Sequence, residues 1–527
     1  MLKNFKRFVF RFLPIGMAIT LMLSACGGSG ETAGETNPSS ASQPQTAASA
    51  DGKDPNDIVE INILAPLFTD PPDMNNEFWT EYQRLTRSKL NVEWVNSGDF
   101  HTAFNLRVAS GDVPEVSGVP DIRSLQLLNA IDNGVFWDLT EPLGDFSKYP
   151  NLKNNVAANC YSYLSVKGKI YALPRSRTRI DLGVNIRKDW LDKLGIPLPA
   201  NTTEFADALE KIVKSDADGN GKVDTVGLIA TGSLPGSLQV AFGALTPQYN
   251  DDGGQYYPCL TDGWIDYVEY CRDLYSRGVI DKEYMNAKYE DGMNMYTSNR
   301  AAAYVMSIWN IWEQEQGSAK VQKDPVPEIV SLKLTGPKGD TGIQLNTGVS
   351  GGYYISKKVP EEKMLRILQY MEDATSQEVT DLAYYGLKGV HHDAVDGTPV
   401  LNKLGIAQIN TSSKCVGPLA YMKYGKVDSA AGSKEYNEAR RKSVEGYEEV
   451  GKVDLWGNGT LVSETWQKVW PKYENTFKAN ETKTVAGRMS MDDFRAYVDS
   501  LRNDPELKPA FKEFAAAYED FNSTLKK

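Results

Sequence analysis

From about Ile58 onward, strand-like and helix-like segments alternate along the chain, and this alternation constrains the fold more than any other feature. It argues for α/β architecture. Ile58 to Leu64 alternates apolar and polar residues as a first strand, and Met74 to Lys89 reads as a helix. Leu90 to Val95 makes a second strand, and Val116 to Val119 and Ala301 to Ser307 read as later ones. Thr202-Thr203-Glu204 caps a helix running to about Lys214. Pro360-Glu361-Glu362 opens another, with Met364, Leu365, Ile367, Leu368 and Met371 at helical spacing. Met491 to Leu525 holds two helical patterns broken near Asp504-Pro505. This body of about 470 residues exceeds one hydrophobic core and divides into two or more lobes. No internal repeat is visible.

The N-terminus is of a different kind. Lys3, Lys6, Arg7 and Arg11 precede a short apolar run from Phe12 to Leu23, too short for a spanning helix, which needs roughly 20 residues. Leu23-Ser24-Ala25-Cys26 follows and resembles a bacterial lipobox, in which Cys26 becomes the lipidated first residue of the mature protein. Residues 1–25 are therefore expected to be a lipoprotein signal peptide. Residues 26–56 are nearly devoid of apolar side chains and read as a flexible linker. Such a linker spans on the order of 30 Å r.m.s., enough to lift a folded body clear of lipid headgroups. The expected location is the extracytoplasmic face of the cell membrane, held by lipid.

Removing residues 1–25 strips four positive charges and no negative ones, so a formal net charge of −12 becomes about −16. A field of that sign disfavours nucleic acid and, more weakly, polyanionic glycans, although a local basic cleft would override it. Beyond Cys26, the cysteines Cys160, Cys259, Cys271 and Cys415 lack metal-like spacing. Export permits disulfides, but four cysteines allow three pairings and the spacing does not choose among them.

Five segments, in order, are similar to the family 1 extracellular solute-binding proteins of ABC importers, especially the alginate-binding and LipO-type lipoprotein branch. They are Arg107 to Glu115, Gly168 to Pro174, Asn185 to Gly195, Ser298 to Trp309, and Tyr385 to His391. In the fourth, Asn299-Arg300 stands where the family usually has Gly-Lys. The resemblance implies two α/β lobes joined by crossing hinge strands, a periplasmic-binding-protein-like fold with a helical C-terminal region. It implies residues 57–175 plus 330–395 in the first lobe and 176–329 plus 396–527 in the second. The ligand would lie between lobes that close on it. The implied protein is a monomer that captures an oligosaccharide and delivers it to ABC permease subunits.

Asp216-Ala217-Asp218-Gly219-Asn220-Gly221-Lys222-Val223-Asp224 has the pattern D-x-D-x-N-G-x-x-D, the front of an EF-hand-like calcium loop. Asp216, Asp218, Asn220 and Asp224 would offer side-chain oxygens and Lys222 its carbonyl, while Gly221 allows the sharp turn. The twelfth position, where an EF-hand places glutamate, is Gly227, so a calcium sensor is not expected. The resembled alginate-binding proteins complete the site with an acid after the last aspartate, where this chain has Thr225. The alternatives are a structural Ca²⁺ site and an acidic turn.

Ten tryptophans, 27 tyrosines and 17 phenylalanines suit sugar recognition, which pairs flat rings with carboxylates, amides and arginines. Trp309, just after the strand ending at Ser307, and Trp312 are candidate stacking platforms or lobe-core residues. The resembled sugar binders carry a stacking tryptophan where Trp309 falls. Asp70 and Asp121, each in a loop after a strand, are candidate acceptors for sugar hydroxyls or solvated loop carboxylates. Arg175 and Arg177, entering the hinge, are candidates for donors to ligand or for salt bridges.

Gly348-Val349-Ser350-Gly351-Gly352 fits the G-x-S-x-G hydrolase pattern, but that elbow needs a helix directly after the serine. Tyr353 to Ser356 reads instead as strand, the return to the first lobe, so no serine hydrolase is expected. His391-His392 are adjacent, and neighbouring side chains rarely share one metal. The alternatives to a binding protein are a surface glycosidase, which needs two carboxylates at a set separation, and a glycan-binding adhesin. Turnover would mark the first.

Overall fold

The computed structural model describes residues 58–525, apart from 69, 396, 410, 430 and 431. The expected signal peptide, the lipidated Cys26 and the linker lie outside the described residues. Ten strands organise the part that carries the site: β1 (Val59–Leu67), β2 (Ser88–Asn96), β3 (Val116–Val119), β4 (Ala172–Ser176), β5 (Leu182–Arg187), β6 (Val226–Ile229), β7 (Ala301–Ser307), β8 (Ile329–Leu332), β9 (Gln344–Leu345) and β10 (Val349–Ile355).

These strands build two sheets. The first runs β2-β1-β3-β10-β4 and the second β6-β7-β5-β8. In the first, β1 lies parallel to both β2 and β3, while β10 pairs antiparallel with β3 and β4. β1 is apolar on both sides: Ile61, Ile63 and Ala65 enter one buried cluster, and Leu64 enters another on the opposite face. That is the pattern of a central strand covered by helices on both faces. The second sheet is likewise buried on both sides, with Val184 and Ile186 in one cluster and Tyr304 and Met306 in another.

The helices follow local signals. Asn76 caps the helix Glu77–Leu85 by accepting from the Trp79 N–H at 3.0 Å. The helix is shorter than the expected Met74 to Lys89 because Arg87 turns left-handed (φ 47°) and β2 already begins at Ser88. Thr202–Val213 and Glu361–Ala374 form where expected. Met491–Arg502 and Lys508–Leu525 are the two terminal helices, and their Phe494, Val498, Phe511 and Phe514 pack into the cluster beneath the second sheet.

One buried network accounts for two of the recognisable segments. The fully buried Arg187 donates to both carboxylate oxygens of Asp189, at 2.8 and 2.6 Å, and its guanidinium lies 4.5 Å from the Trp190 ring. It also donates to the Asn299 side chain. Asn299 holds φ 65°, a left-handed conformation that asparagine tolerates better than other L-residues. The replacement of glycine at 299 therefore adds an acceptor for a buried cation. Removing one partner of such a pair costs about 3–5 kcal/mol.

The expected division between lobes placed 330–395 with the first and everything from 396 with the second. β8 and Leu334 pack with the second sheet, and Ile409, Val416 and Leu419 pack with the first. The segment around Cys415 to Ala420 is buried without helix or strand, so no periodicity announces its place. Cys160, Cys259 and Cys271 are buried free thiols, and the buried Cys415 sulfur accepts from Arg175 at 3.2 Å.

Candidate functional site

Two crossing segments connect the sheets. One leads from β4 to β5 through Arg177 to Asp181, and the other leads from β8 through β9 to β10. They run side by side: the Arg177 N–H donates to Gly348 O and the Asn346 N–H donates to Arg179 O, each at 2.9 Å. Hinge strands must keep such pairing while absorbing rotation.

Two cavities flank this crossing. One, of about 300 Å³, is lined by Arg175, Arg177, Trp309, Tyr384, Lys414 and Lys426 among others. The second, of about 460 Å³, includes Asp181, Asn346, Thr347, Asp454 and Asn458. Arg177 and Ser350 line both, so the cavities adjoin. Both volumes suit a small ligand or a few sugar units.

Trp309 owes its position to the residues on either side. β7 ends at Ser307 and a single 3₁₀ turn, Ile308–Asn310, follows. Ile308 and Ile311 are buried, which anchors the turn and leaves Trp309 49 % exposed at the cavity wall. The Ile308 N–H donates to Asp181 O at 2.6 Å, tying the turn to the first crossing. Asp181 strengthens that tie, accepting from Lys426 Nζ at 2.6 Å, Ser307 Oγ at 2.5 Å and Asn346 Nδ2 at 3.1 Å. Burial pushes the Asp181 carboxyl up, but these donors outweigh it and hold the group below the usual carboxylate range.

Arg175 projects from the end of β4 toward Lys414 O (3.3 Å), Ser350 Oγ (3.4 Å) and Cys415 Sγ (3.2 Å), with Phe68 5.3 Å below its guanidinium. Lys414 Nζ stands 4.5 Å from the Tyr384 ring centre. Burial pushes the Lys414 ammonium down in pKa, and the neighbouring Arg175 acts in the same direction, while the Cys415 thiol opposes. Ser350 sits inside β10 and shares hydrogen bonds with Arg175, so the G-x-S-x-G run is strand and no nucleophile elbow. His391 bonds to the Leu387 N–H and to Gln408, and His392 to Tyr385 O, which are local structural ties.

Of the sequence candidates, Trp309, Arg175 and Arg177 meet at the first cavity. Trp312 is half-buried and packs edge-on against Tyr436, with ring centres 4.8 Å apart. Asp70 is exposed in the loop after β1 and lines neither cavity. Asp121, also exposed and outside both linings, accepts from the Arg123 N–H at 3.0 Å and contacts His101 Nε2 at 3.2 Å. Sequence reasoning missed Lys414, Lys426 and Tyr384. The available signal was the apolar Cys415 to Ala420, which contains Gly417-Pro418 and lysines nearby on either side.

The acidic loop lies between the helix Thr202–Val213 and β6. Gly221 turns left-handed (φ 81°), and its N–H donates to Asp216 Oδ2 at 3.0 Å. Asn220 Nδ2 sits between Asp218 Oδ2 at 2.8 Å and Asp224 Oδ1 at 3.0 Å, the place a cation would take. The second oxygen of Asp216 is buried without a partner. Burial raises the pKa of Asp218, and the nearby Asp216 and Asp224 act in the same direction. Among the described residues no three His, Cys, Asp or Glu side chains gather tightly enough to hold a metal by themselves. The donor set here also includes an amide and the Lys222 carbonyl, and an orphaned oxygen among crowded carboxylates fits a hard cation. At Gly227 a Cβ would lie 2.9 Å from Val279 O, so the EF-hand glutamate has no room. Thr225 Oγ1, directly after Asp224, is buried without a partner.

Comparison with known proteins agrees with the fold. The polygalacturonan/rhamnogalacturonan-binding protein YtcQ of Bacillus subtilis is 27% identical over 356 residues, 66% of this chain and 69% of that one. The crystal structure of the alginate-binding protein AlgQ2 without calcium ion superposes with a TM-score of 0.58 at 19% identity, covering 88% of this chain and 98% of that one. The ABC-transporter substrate-binding protein FusA of S. pneumoniae, an EF-hand mutant in complex with fructo-nystose, gives 0.56 at 17% identity, covering 88% and 99%. Residues 65–378 match the family model described as bacterial extracellular solute-binding protein, and the chain belongs to that family.

Proposed function

We propose that the chain is a membrane-tethered substrate-binding protein that captures an oligosaccharide at the crossing between its sheets and delivers it to an ABC permease. The observation that carries this reading is Trp309, an exposed indole fixed by two buried neighbours at the wall of a cavity also lined by arginine, lysine and serine. Such a wall offers a sugar both a flat apolar face and hydrogen-bond donors. YtcQ, AlgQ2 and FusA bind saccharides by their names, which supports the ligand class. We assign the first lobe to β1–β4, β10 and the chain through Leu419, and the second to β5–β9 with the terminal helices.

A binding role without turnover is supported by the similar proteins, which are binding proteins by name. The glycan-binding adhesin remains the second alternative, separated by transport. Asp216, Asp218, Asn220, Lys222 and Asp224 would hold Ca²⁺ as a structural brace remote from the sugar. Lipid on Cys26 would hold the protein at the extracytoplasmic surface as a monomer. Mass spectrometry of the membrane-bound protein should find Cys26 acylated, and an unmodified Cys26 there would remove the anchor.

Thermal shift across neutral and acidic oligosaccharides, with and without chelator, tests the function. At least one saccharide should raise the melting temperature in a saturable way and emerge chemically unchanged. Hydrolysis of the saccharide, or no shift with any, would overturn the reading.

A further inference from the structure

The Trp309 ring is half exposed, so its direction depends on the backbone from which it leaves. That backbone is held at Ile308 from two sides. The Ile308 N–H donates to Asp181 O at 2.6 Å, on the first crossing, and the Ile308 carbonyl accepts from Arg440 Nη2 at 2.5 Å. Arg440 is buried and stands on the helix Lys434–Ser443. Its guanidinium lies 5.5 Å from the Tyr436 ring centre. The Tyr436 hydroxyl donates to Glu315 Oε2 at 2.7 Å, and Glu315 Oε1 accepts from the N–H of Ile329, the first residue of β8, at 2.8 Å. The same Tyr436 ring meets Trp312 edge-on. Arg441, the next residue of the helix, forks onto Asp428 at 2.8 and 2.5 Å, two positions beyond Lys426 of the cavity wall. One helix therefore holds the Trp309 turn with one arginine and the Lys426 segment with the next.

Arg440 is a costly donor for one carbonyl. Its Nε and Nη1 are buried without a partner. Burial pushes its pKa down, with Tyr436 and Glu315 opposing. A buried cation with unmet donors adds little to folding stability, because desolvation offsets what its bonds return. What it does supply is direction. The Ile308 carbonyl, the Trp309 N–H and the Trp309 Cα share one rigid peptide plane. A planar fork fixed on that oxygen therefore fixes the direction from which the indole leaves the chain.

We propose that Arg440 is a positioning residue for the ligand site: through the Ile308–Trp309 peptide it sets the angle at which the indole meets a sugar. Arg440 lines neither cavity at the crossing, so its effect on the ligand passes through Trp309. The inference rests on the oligosaccharide reading above and names the residue that orients its platform.

A double-mutant cycle read by calorimetric titration of the full chain tests it. The probes are maltotriose, xylotriose and trigalacturonate, and the trimer that binds the unaltered chain is carried through the cycle. Arg440→Met should weaken that trimer about tenfold where Trp309 is present and leave affinity unchanged in the Trp309→Ala background. Arg440→Lys keeps a donor for the carbonyl without the planar fork, so it should weaken binding less, again only where Trp309 is present. It carries the cycle if the methionine variant does not fold. Any change in melting temperature should be the same in both backgrounds, whereas a merely structural arginine would show that change alone, without coupling to Trp309. Equal weakening in both backgrounds, or unchanged affinity where Trp309 is present, would overturn the positioning role and leave oligosaccharide capture standing. Unchanged affinity on Trp309→Ala alone would overturn the platform together with the residue behind it. Binding of none of the trimers would overturn the oligosaccharide reading and the inference with it.

Discussion

Around the Trp309 cavity, Arg175, Arg177 and Lys414 gather on one wall, whereas in the loop from Asp216 to Asp224 three carboxylates gather within nine residues, two on the Asn220 amide and the third on the Gly221 N–H. The two regions share one electrostatic problem with reversed sign. In the loop the like charges come from a single turn, so a bound cation would join residues that the backbone already holds close. At the cavity Trp309 follows a strand of the second sheet, while Arg175 lies in a strand of the first and is bonded to Lys414, so a ligand touching both walls would join the two sheets. The first arrangement suits a static brace. The second suits a ligand that closes a cleft, because its full set of contacts exists only when the segments meet.

The largest effect that would sharpen this contrast is at the cavity. Trp309→Ala should cost about 2–4 kcal/mol of sugar binding, roughly 30- to 1000-fold in affinity, and Trp309→Phe less. The melting temperature of the ligand-free protein should hardly move, since the indole is half exposed. Calorimetry beside a melting curve reads both quantities, and unchanged affinity with lowered stability would make Trp309 a packing residue.

At the loop the expected effect is on stability. With calcium at a hundredfold excess over its dissociation constant, linkage contributes about 2.7 kcal/mol. Asp218→Ala should abolish the chelator-sensitive part of the melting curve and leave the order of sugar preference intact. The contrast breaks if chelation changes sugar affinity as much as stability, or if exhaustive metal removal changes neither.

The smallest effect is one of pH. Burial and two neighbouring carboxylates raise the pKa of Asp218 in the folded protein. A raised acid favours the folded state while protonated, so its contribution is complete below the unfolded value of about 3.9 and is lost as pH rises through the folded value. Metal-free protein should therefore lose more stability as pH rises above about 4 than Asp218→Asn does, and calcium should erase the difference. Parallel melting profiles would show that the loop carboxylates do not interact.

How much of this was legible in the sequence depended on chain distance. The sheets were readable from the alternation in β1 and β2 and the apolar run of β7, and the acidic loop from nine consecutive residues. Trp309 and Arg177 were readable because each follows a strand whose end faces the crossing. Asp70 and Asp121 satisfy the same rule yet lie outside both cavities, so the rule selects loops and cannot select the loop that the opposite sheet approaches. Lys414 and Lys426 follow no such pattern. They belong to an irregular buried segment whose place is set by packing of Val416 and Leu419 against the first sheet, a contact between residues hundreds of positions apart.

Hydrogen–deuterium exchange of the full chain, with and without the saccharide that gives the largest thermal shift, tests the central claim most directly. Protection should concentrate in peptides carrying Arg175–Thr178, Ile308–Asn310 and Lys414–Lys426, with the loop from Asp216 to Asp224 unchanged. Protection elsewhere, with those three segments unaffected, would place the ligand outside the crossing and contradict the account.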